Sequence, residues 1–351
     1  MSAFANRKPT LIDTSRLVKW LGLAAGLVVL AYVFSRLLAP GYDLYGLFYP
    51  AIRDVWQGQF TYARWPLFTN PPWVLLMLLP LGLFSVEMAH GLLVVSVLLA
   101  LVWVMRDYRR FPGSYVLVVL SAPMFALVWL GQLEALSLLG AMLGYRAVTR
   151  RKAWQFALAL LMLLAKPQET WVIILYLLIG SARRWSWRAW LQIMGTVAVI
   201  AVVSSIGLGF GWIPRIFNGP SYASGWQNFS LWQWGQFIPV PIVIGIWIII
   251  AGVAAYALLR AGISRSGLGL AAVASNLLSP YLTAPHLLMT LSFGWGNLVD
   301  RSWRDGLIIY FTSLTPLLRV INADQALNRL DIVFLLLVLM NLIAGVIRRH
   351  A

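Results

Sequence analysis

The sequence predicts an all-α polytopic membrane protein of about 12 transmembrane helices, with an outer-face interfacial helix in its first extracytoplasmic loop. Three observations predict it. Of the 351 residues, 61% are hydrophobic and only 11% charged, at a mean hydropathy of +0.80, a composition foreign to water-soluble domains. The apolar residues fall in runs of roughly 15 to 25, long enough to cross or nearly cross a hydrocarbon core. The 27 Lys and Arg, against 11 Asp and Glu, gather in short segments between those runs. A nucleic-acid binder would need a continuous basic face, so the net charge of +16 reads as positive-inside topology. The absence of cysteine excludes disulfides, thiol catalysis and thiolate metal sites.

Arg7, Lys8, Arg16 and Lys19 precede an apolar stretch from about Leu17 to Leu38. No small-residue cleavage site follows, so a retained first helix is expected. Next comes "GYDLYGLFYPAIRDVWQGQFTYARWPLFTNPPW" (Gly41–Trp73), polar, aromatic and acidic, in a first outer loop spanning 39–85. Within it "PPWVLLMLLPLGLF" (Pro71–Phe84) is apolar but short. Counting it as a span would carry Arg106, Arg109 and Arg110 outside, so it is read as a helix at or re-entering the outer face, its prolines suited to a first turn. The second span is then Val86–Met105. Further spans are expected near 115–130, 133–145, 154–165, 169–179, 190–210, 237–259, 268–282, 286–298, 307–320 and 332–347. Several are short and paired around outward turns, the pattern of broken hairpins that line a cavity.

With the basic clusters in the cytoplasm, 20 of the 27 cations lie inside with only Asp13, Asp107, Asp300 and Asp305. The remaining seven acids and seven cations balance outside or within the membrane. Both termini are therefore expected in the cytoplasm of a cell or inner membrane, and residues 1–351 form one transmembrane domain with a second, Trp-rich outer loop at 211–236.

This register sends the unusual polar residues to one face. Asp43, Arg53, Asp54 and Arg64 lie in the first outer loop; Gln132 and Glu134 cap the next outward turn; Lys166, Gln168 and Glu169 cap another. Arg215, Asn228, Gln233 and Gln236 occupy the Trp-rich loop, and Ser279, Tyr281 and His286 a fifth turn. Ionisable groups in or beside spans are costly and mark function. Ordinary roles compete: a helix cap for Asp43, a pair with Arg53 or Arg64 for Asp54, snorkelling for Lys166, a helix-end hydrogen bond for His286, and an aromatic belt for the Trp loop. Asp43 directly follows the first span, where a cap needs no such loop, and Pro167 breaks the helix beside Lys166 so that its ammonium can face a cavity. "NFS" at Asn228 fits a glycosylation sequon, relevant only in a secretory pathway. There is no GxxxxGKS, HExxH, GxSxG or CxxC, and His90, His286 and His350 are too scattered for a transition-metal cage.

A carboxylate at the outer surface, facing a cation able to hold phosphate, suits group transfer from a lipid-phosphate donor. The carboxylate takes the proton of an attacking hydroxyl while the cation stabilises the departing phosphate. One base with direct attack inverts the anomeric centre; retention needs a second, nucleophilic carboxylate close by. The alternatives are a lipid-linked sugar transporter or flippase, which requires a matching polar set on the cytoplasmic side that this register lacks, and a non-catalytic membrane assembly subunit.

The stretches "DLYGLFYPAIRDVWQGQFTY", "FTNPPWVLLMLLPLGLF", "GQLEALSLLGAMLGYRAVTRRK", "LLAKPQETWVIILYLLIGSARRW" and "LLSPYLTAPHLL", in that order, resemble the membrane-embedded C-superfamily glycosyltransferases. The resemblance is greatest to glycosyltransferase family 87, the polyprenyl-phosphate-mannose-dependent α-mannosyltransferase group. It implies an inverting transfer of a hexose, mannose in that group, from a polyprenyl-phosphate donor to a lipid or glycan acceptor. It also implies an interfacial helix after the Pro-Pro, Asp43 as catalytic base, and Lys166 on the family's Lys-Pro. Donor phosphate and sugar are then expected among Lys166, Gln132, Glu134, His286, Tyr281 and Arg64, with Asp54, Tyr45, Asn70 and Gln168 as secondary candidates. The family site looks metal-independent, so no cofactor is expected, although Asp43, Asp54 and Glu134 would hold a hard divalent cation if the fold collected them. Expected partners are donor, acceptor and membrane lipids, not nucleic acid.

Overall fold

A computed structural model describes residues 14–106, 113–182, 184–217, 230–294, 310 and 330–348. The Asn228 sequon and, apart from residue 310, the expected span 307–320 lie outside these residues. No strand occurs among the described residues; the elements are helices of very unequal length.

Helix α1 (Thr14–Leu37) carries no charge between Lys19 and Arg36 and turns Trp20, Val29 and Tyr32 outward. After it, a π-helical turn (Leu44–Phe48) leads into α2 (Tyr49–Trp56), and α3 (Pro72–Leu78) continues as a 3-10 turn to Leu83. Pro72 starts α3 where a missing N–H costs nothing, and Trp73, Val74 and Leu75 bury against the fold. At 1.5 Å per residue, 72–83 reaches about 18 Å, short of the roughly 30 Å hydrocarbon core. The turn is pinned to α2 by Trp56 Nε1 donating to the Leu79 carbonyl at 3.0 Å and Arg53 to that of Gly82 at 3.1 Å. α4 (Val86–Met105), capped by Ser85, packs along α1. A Cβ on Gly91 of α4 would overlap the Ala31 carbonyl oxygen, so the two backbones touch as small residues allow in membrane helix pairs.

The single span expected near 115–130 is instead two helices, α5 (Gly113–Val119) and α6 (Ala122–Leu130). Ser121 accepts from the Met124 amide as N-cap, and Pro123, lacking an amide proton and crowding the residue before it, cannot continue α5. α7 (Glu134–Arg150) and α8 (Ala153–Leu163) form a hairpin turned by Arg151 at φ 54°. α9 (Pro167–Ala182) follows, and α10 (Trp187–Leu208) lies on α8. After the short α11 (Trp212–Phe217) come α12 (Val240–Ala261) and α13 (Arg265–Leu278). α13, rich in Gly, Ala and Ser and buried from Gly267 to Leu278, packs against α9, α12 and α15 (Leu330–Arg348). The stretch expected as a span from His286 begins as a 3-10 turn (Ala284–His286), then α14 (Leu287–Met289) and a π-helical turn (Thr290–Gly294).

Four described helices are long and apolar enough to cross a membrane: α1 from Val18, α4, α10 and α12. Of these, α1, α10 and α12 expose large apolar side chains such as Val199, Ile206 and Ile249, a surface that suits lipid rather than water. The buried core lies on α4, α7, α8, α9 and α13, and one end of it carries the polar cluster.

Candidate active site

The site forms where the loop after α1 meets the starts of α7 and α9. Gly131 ends α6 with φ 68°, a left-handed conformation that glycine adopts freely. A Cβ on Gly41 would lie 2.5 Å from Gly131 Cα, and one on Gly131 would lie 2.8 Å from Leu44 Cβ. Only two glycines let these strands of chain pass so closely. Asp43 and Gln132, one just after each glycine, are thereby brought together.

Gln132 Nε2 donates to Asp43 Oδ2, and Gln132 Oε1 accepts from Lys166 Nζ at 2.8 Å. Because its oxygen faces an ammonium, the Gln132 amide must turn its NH2 to Asp43. Lys166 also donates to Glu134 Oε1 at 2.5 Å. Lys166 sits at the break between α8 and α9, Glu134 opens α7, and both are buried. Beyond them Glu169, one helical turn after Lys166, accepts from Ser137 Oγ at 2.8 Å. His286 Nε2 lies 3.1 Å from Glu169 Oε2, at ion-pair distance but out of line for a hydrogen bond, and 4.0 Å from Glu134 Oε1. The ring of Tyr281 stands edge-on to that of His286, centroids 6.0 Å apart. Six residues from four segments thus make one continuous polar chain, half-buried at Asp43 and fully buried at Glu169. Burial pushes the Asp43 carboxyl above the ordinary carboxylate range, Lys166 and the Gln132 hydrogen bond pulling the other way.

Other expected residues have different places. Asp54 accepts from Trp65 Nε1 at 2.8 Å and pairs with Arg64 Nε at 3.1 Å, a clasp inside the first loop. Asn70 donates to the Ala165 carbonyl at 2.8 Å and its own carbonyl accepts from Tyr62 Oη at 2.9 Å, so it moors that loop beside Lys166. Tyr45 is exposed, and Gln168 is half-buried in the first turn of α9. The three acids considered for a hard cation are therefore engaged separately: Asp43 by Gln132, Glu134 by Lys166, Asp54 by Trp65 and Arg64.

Glu169, Ser137 and Arg215 were not among the residues expected to hold donor phosphate and sugar, although Glu169 and Arg215 were placed on the same face. Glu169 reads in sequence as the cap of a span, although its spacing of three from Lys166 puts both on one helix face, as does that of Ser137 from Glu134. Arg215, on α11, donates to the carbonyls of Tyr62, Trp65 and Phe68 across roughly 150 residues of chain and so ties down the first loop.

Glu134, Glu169 and His286 bring ligand atoms within 4.8 Å of one another, the spacing of a metal cage. The histidine does not fit that role. The Thr283 amide donates to His286 Nδ1 at 3.1 Å, so the ring hydrogen of the neutral imidazole is on Nε2, the nitrogen facing the carboxylates. A ligating imidazole needs its lone pair there and its hydrogen on the other nitrogen.

Comparison with known protein families matches residues 68–290 to glycosyltransferase family 87. The chain belongs to glycosyltransferase family 87. No curated protein and no solved structure matches it. As a family 87 glycosyltransferase it carries Gln132, Glu134, Lys166, Glu169, Tyr281 and His286 inside the matched region, whereas Asp43 lies before it and joins the site through Gln132.

Proposed function

We propose that this glycosyltransferase moves a hexose, mannose by family resemblance, from a polyprenyl-phosphate donor to a lipid or glycan acceptor, with inversion, at the extracytoplasmic face. The observation that carries the reading is the polar chain from Asp43 through Gln132 and Lys166 to Glu134, set in a helical protein with lipid-suited outer helices. Gln132 occupies Asp43 Oδ2 and leaves Oδ1 to receive the proton of the acceptor hydroxyl as its oxygen bonds to the sugar C1. The bond from C1 to the phosphate oxygen breaks, and polyprenyl phosphate leaves with the electron pair. Lys166 spends two of its three N–H bonds on Gln132 and Glu134; the third is directed at the departing phosphate. Tyr281 and His286 line the sugar side, and Asn70 holds the loop in register. No second nucleophilic carboxylate is needed, which supports inversion.

The charge pattern supports cytoplasmic termini, with Asp43 emerging outside after α1 and the short α3 segment resting at the outer interface. The test is transfer of radiolabelled sugar from a panel of polyprenyl-phosphate donors into lipid extract by the purified protein. Labelled product with wild type and none with folded Asp43→Asn is the expected result. If wild type binds donor as well as the variant does and neither releases product, the transporter reading replaces this one.

A further inference from the structure

The buried end of the polar chain has more negative than positive charge. Asp43, Glu134 and Glu169 are three carboxylates, and Lys166 is the cation among them, committed to Glu134 at 2.5 Å. Glu169 is completely buried and, among the described residues, receives only the Ser137 hydroxyl, with His286 Nε2 beside its second oxygen. A fully buried carboxylate with no counter-charge is among the most costly arrangements in a protein. A metal ion is the usual remedy, but the hydrogen on His286 Nε2 rules out ligation from that side. His286 cannot turn away either: the Thr283 amide holds Nδ1, and Asn276 Nδ2 donates to the His286 carbonyl at 3.0 Å and to Thr290 Oγ1 at 2.7 Å.

We propose that Glu169 holds a proton beside the neutral His286 imidazole, so that the pair carries no net charge. The proton is on Glu169, because His286 Nδ1 accepts from the Thr283 amide and Nε2 already carries the ring hydrogen. The ionisable groups facing the pair are Glu134 from α7, Lys166 from the α8–α9 break, Tyr281 from the turn before His286 and, further along, Asp43 from the first loop. α13 offers Ser275 and Asn276, α6 has no charged side chain, and His90 of α4 is turned to the Val128 carbonyl. The assignment separates the roles of the three acids. Glu134 is neutralised by Lys166 and Glu169 by its own proton, so Asp43 is the carboxylate left to accept a proton from substrate. Resting on the proposed transfer, it also lowers the negative charge that an anionic phosphate meets on entry by one unit.

The test uses the full chain in detergent and compares wild type with Glu169→Gln, which fixes a neutral group of the same shape. Thermal stability of wild type should fall as pH rises from about 5 toward 9, because the unfolded chain releases this proton in the ordinary carboxylate range while the folded one keeps it, and Glu169→Gln should lack that slope. Parallel pH profiles overturn the proposal. So does a wild-type melting temperature that drops with EDTA and recovers with Mn2+ or Zn2+, since a metal then holds the pair. Ser137→Ala removes a donor to the ionised form and should extend the slope to higher pH; an unmoved upper end removes the proton from Glu169. If Glu169→Gln does not fold, this second variant decides alone. Binding of undecaprenyl phosphate should weaken roughly fivefold or more over the same interval in wild type, and less than about twofold in Glu169→Gln. Equal weakening in both overturns the link to phosphate. No binding by either at any pH, with the stability difference intact, sinks the donor assignment and leaves the proton in place.

Discussion

At Asp43 the chemistry turns on one hydrogen bond. Gln132 takes Oδ2, and Lys166 locks the amide so that its NH2 cannot be exchanged for its oxygen. Because burial raises the Asp43 carboxyl and the proposed base must be ionised to act, kcat/KM should be full at neutral pH. It should be lost as pH falls through a midpoint above the ordinary carboxylate range, seen as an acid limb in the pH profile. Lys166 and Glu134 form a buried pair, and Lys166→Met should destabilise by about 3 to 5 kcal/mol by stranding a carboxylate. Lys166→Met with Glu134→Gln should recover most of that loss in a thermal melt, and a double variant no better than the single would show that the pair is not the source. Asp43, Lys166, Gln132 and Glu134 were legible in sequence because polar residues stand out in an apolar chain. Which acid served which purpose was not: Asp54, with Arg64 nearby, looks in sequence like a site acid and is a loop clasp, whereas Glu169 looks like a cap and lies at the buried core of the cluster.

Among the elements, the turn at Gly131 decides whether a site exists. Gly131→Ala meets both a left-handed backbone and the Leu44 side chain, strain of about 1 to 3 kcal/mol. It should cut transfer at least tenfold while circular dichroism shows unchanged helix content, since α6 and α7 persist and only their junction shifts; full activity would mean that the Gly41 contact is not needed. The sequence located Val86–Met105 to the residue, because Ser85 and an uninterrupted apolar run mark that helix locally. It misjudged 115–130 as one element because apolar content outweighed the Ser-Ala-Pro break, and hydropathy does not register a missing amide proton.

For the whole molecule, the cysteine-free chain makes sidedness directly measurable. On the proposed topology, a single cysteine at the exposed Tyr45 should react with a membrane-impermeant maleimide added to intact cells, and one at the exposed Arg150 only after permeabilisation; the reverse pattern inverts the topology. By itself, the sequence determined the class of molecule, its helical character, its charge asymmetry and the kinds of residue that gather in its candidate site. These follow from composition and local pattern, since the free energy of placing a residue in lipid or water is a property of that residue and its near neighbours. Only the tertiary structure decided that Asp43 meets Gln132 across 89 residues of chain, that Lys166 is shared between an amide and Glu134, and that Glu169 closes on His286. Those contacts depend on how closely glycine and alanine faces let separate helices approach, a quantity set by packing in three dimensions and written in no local window of sequence.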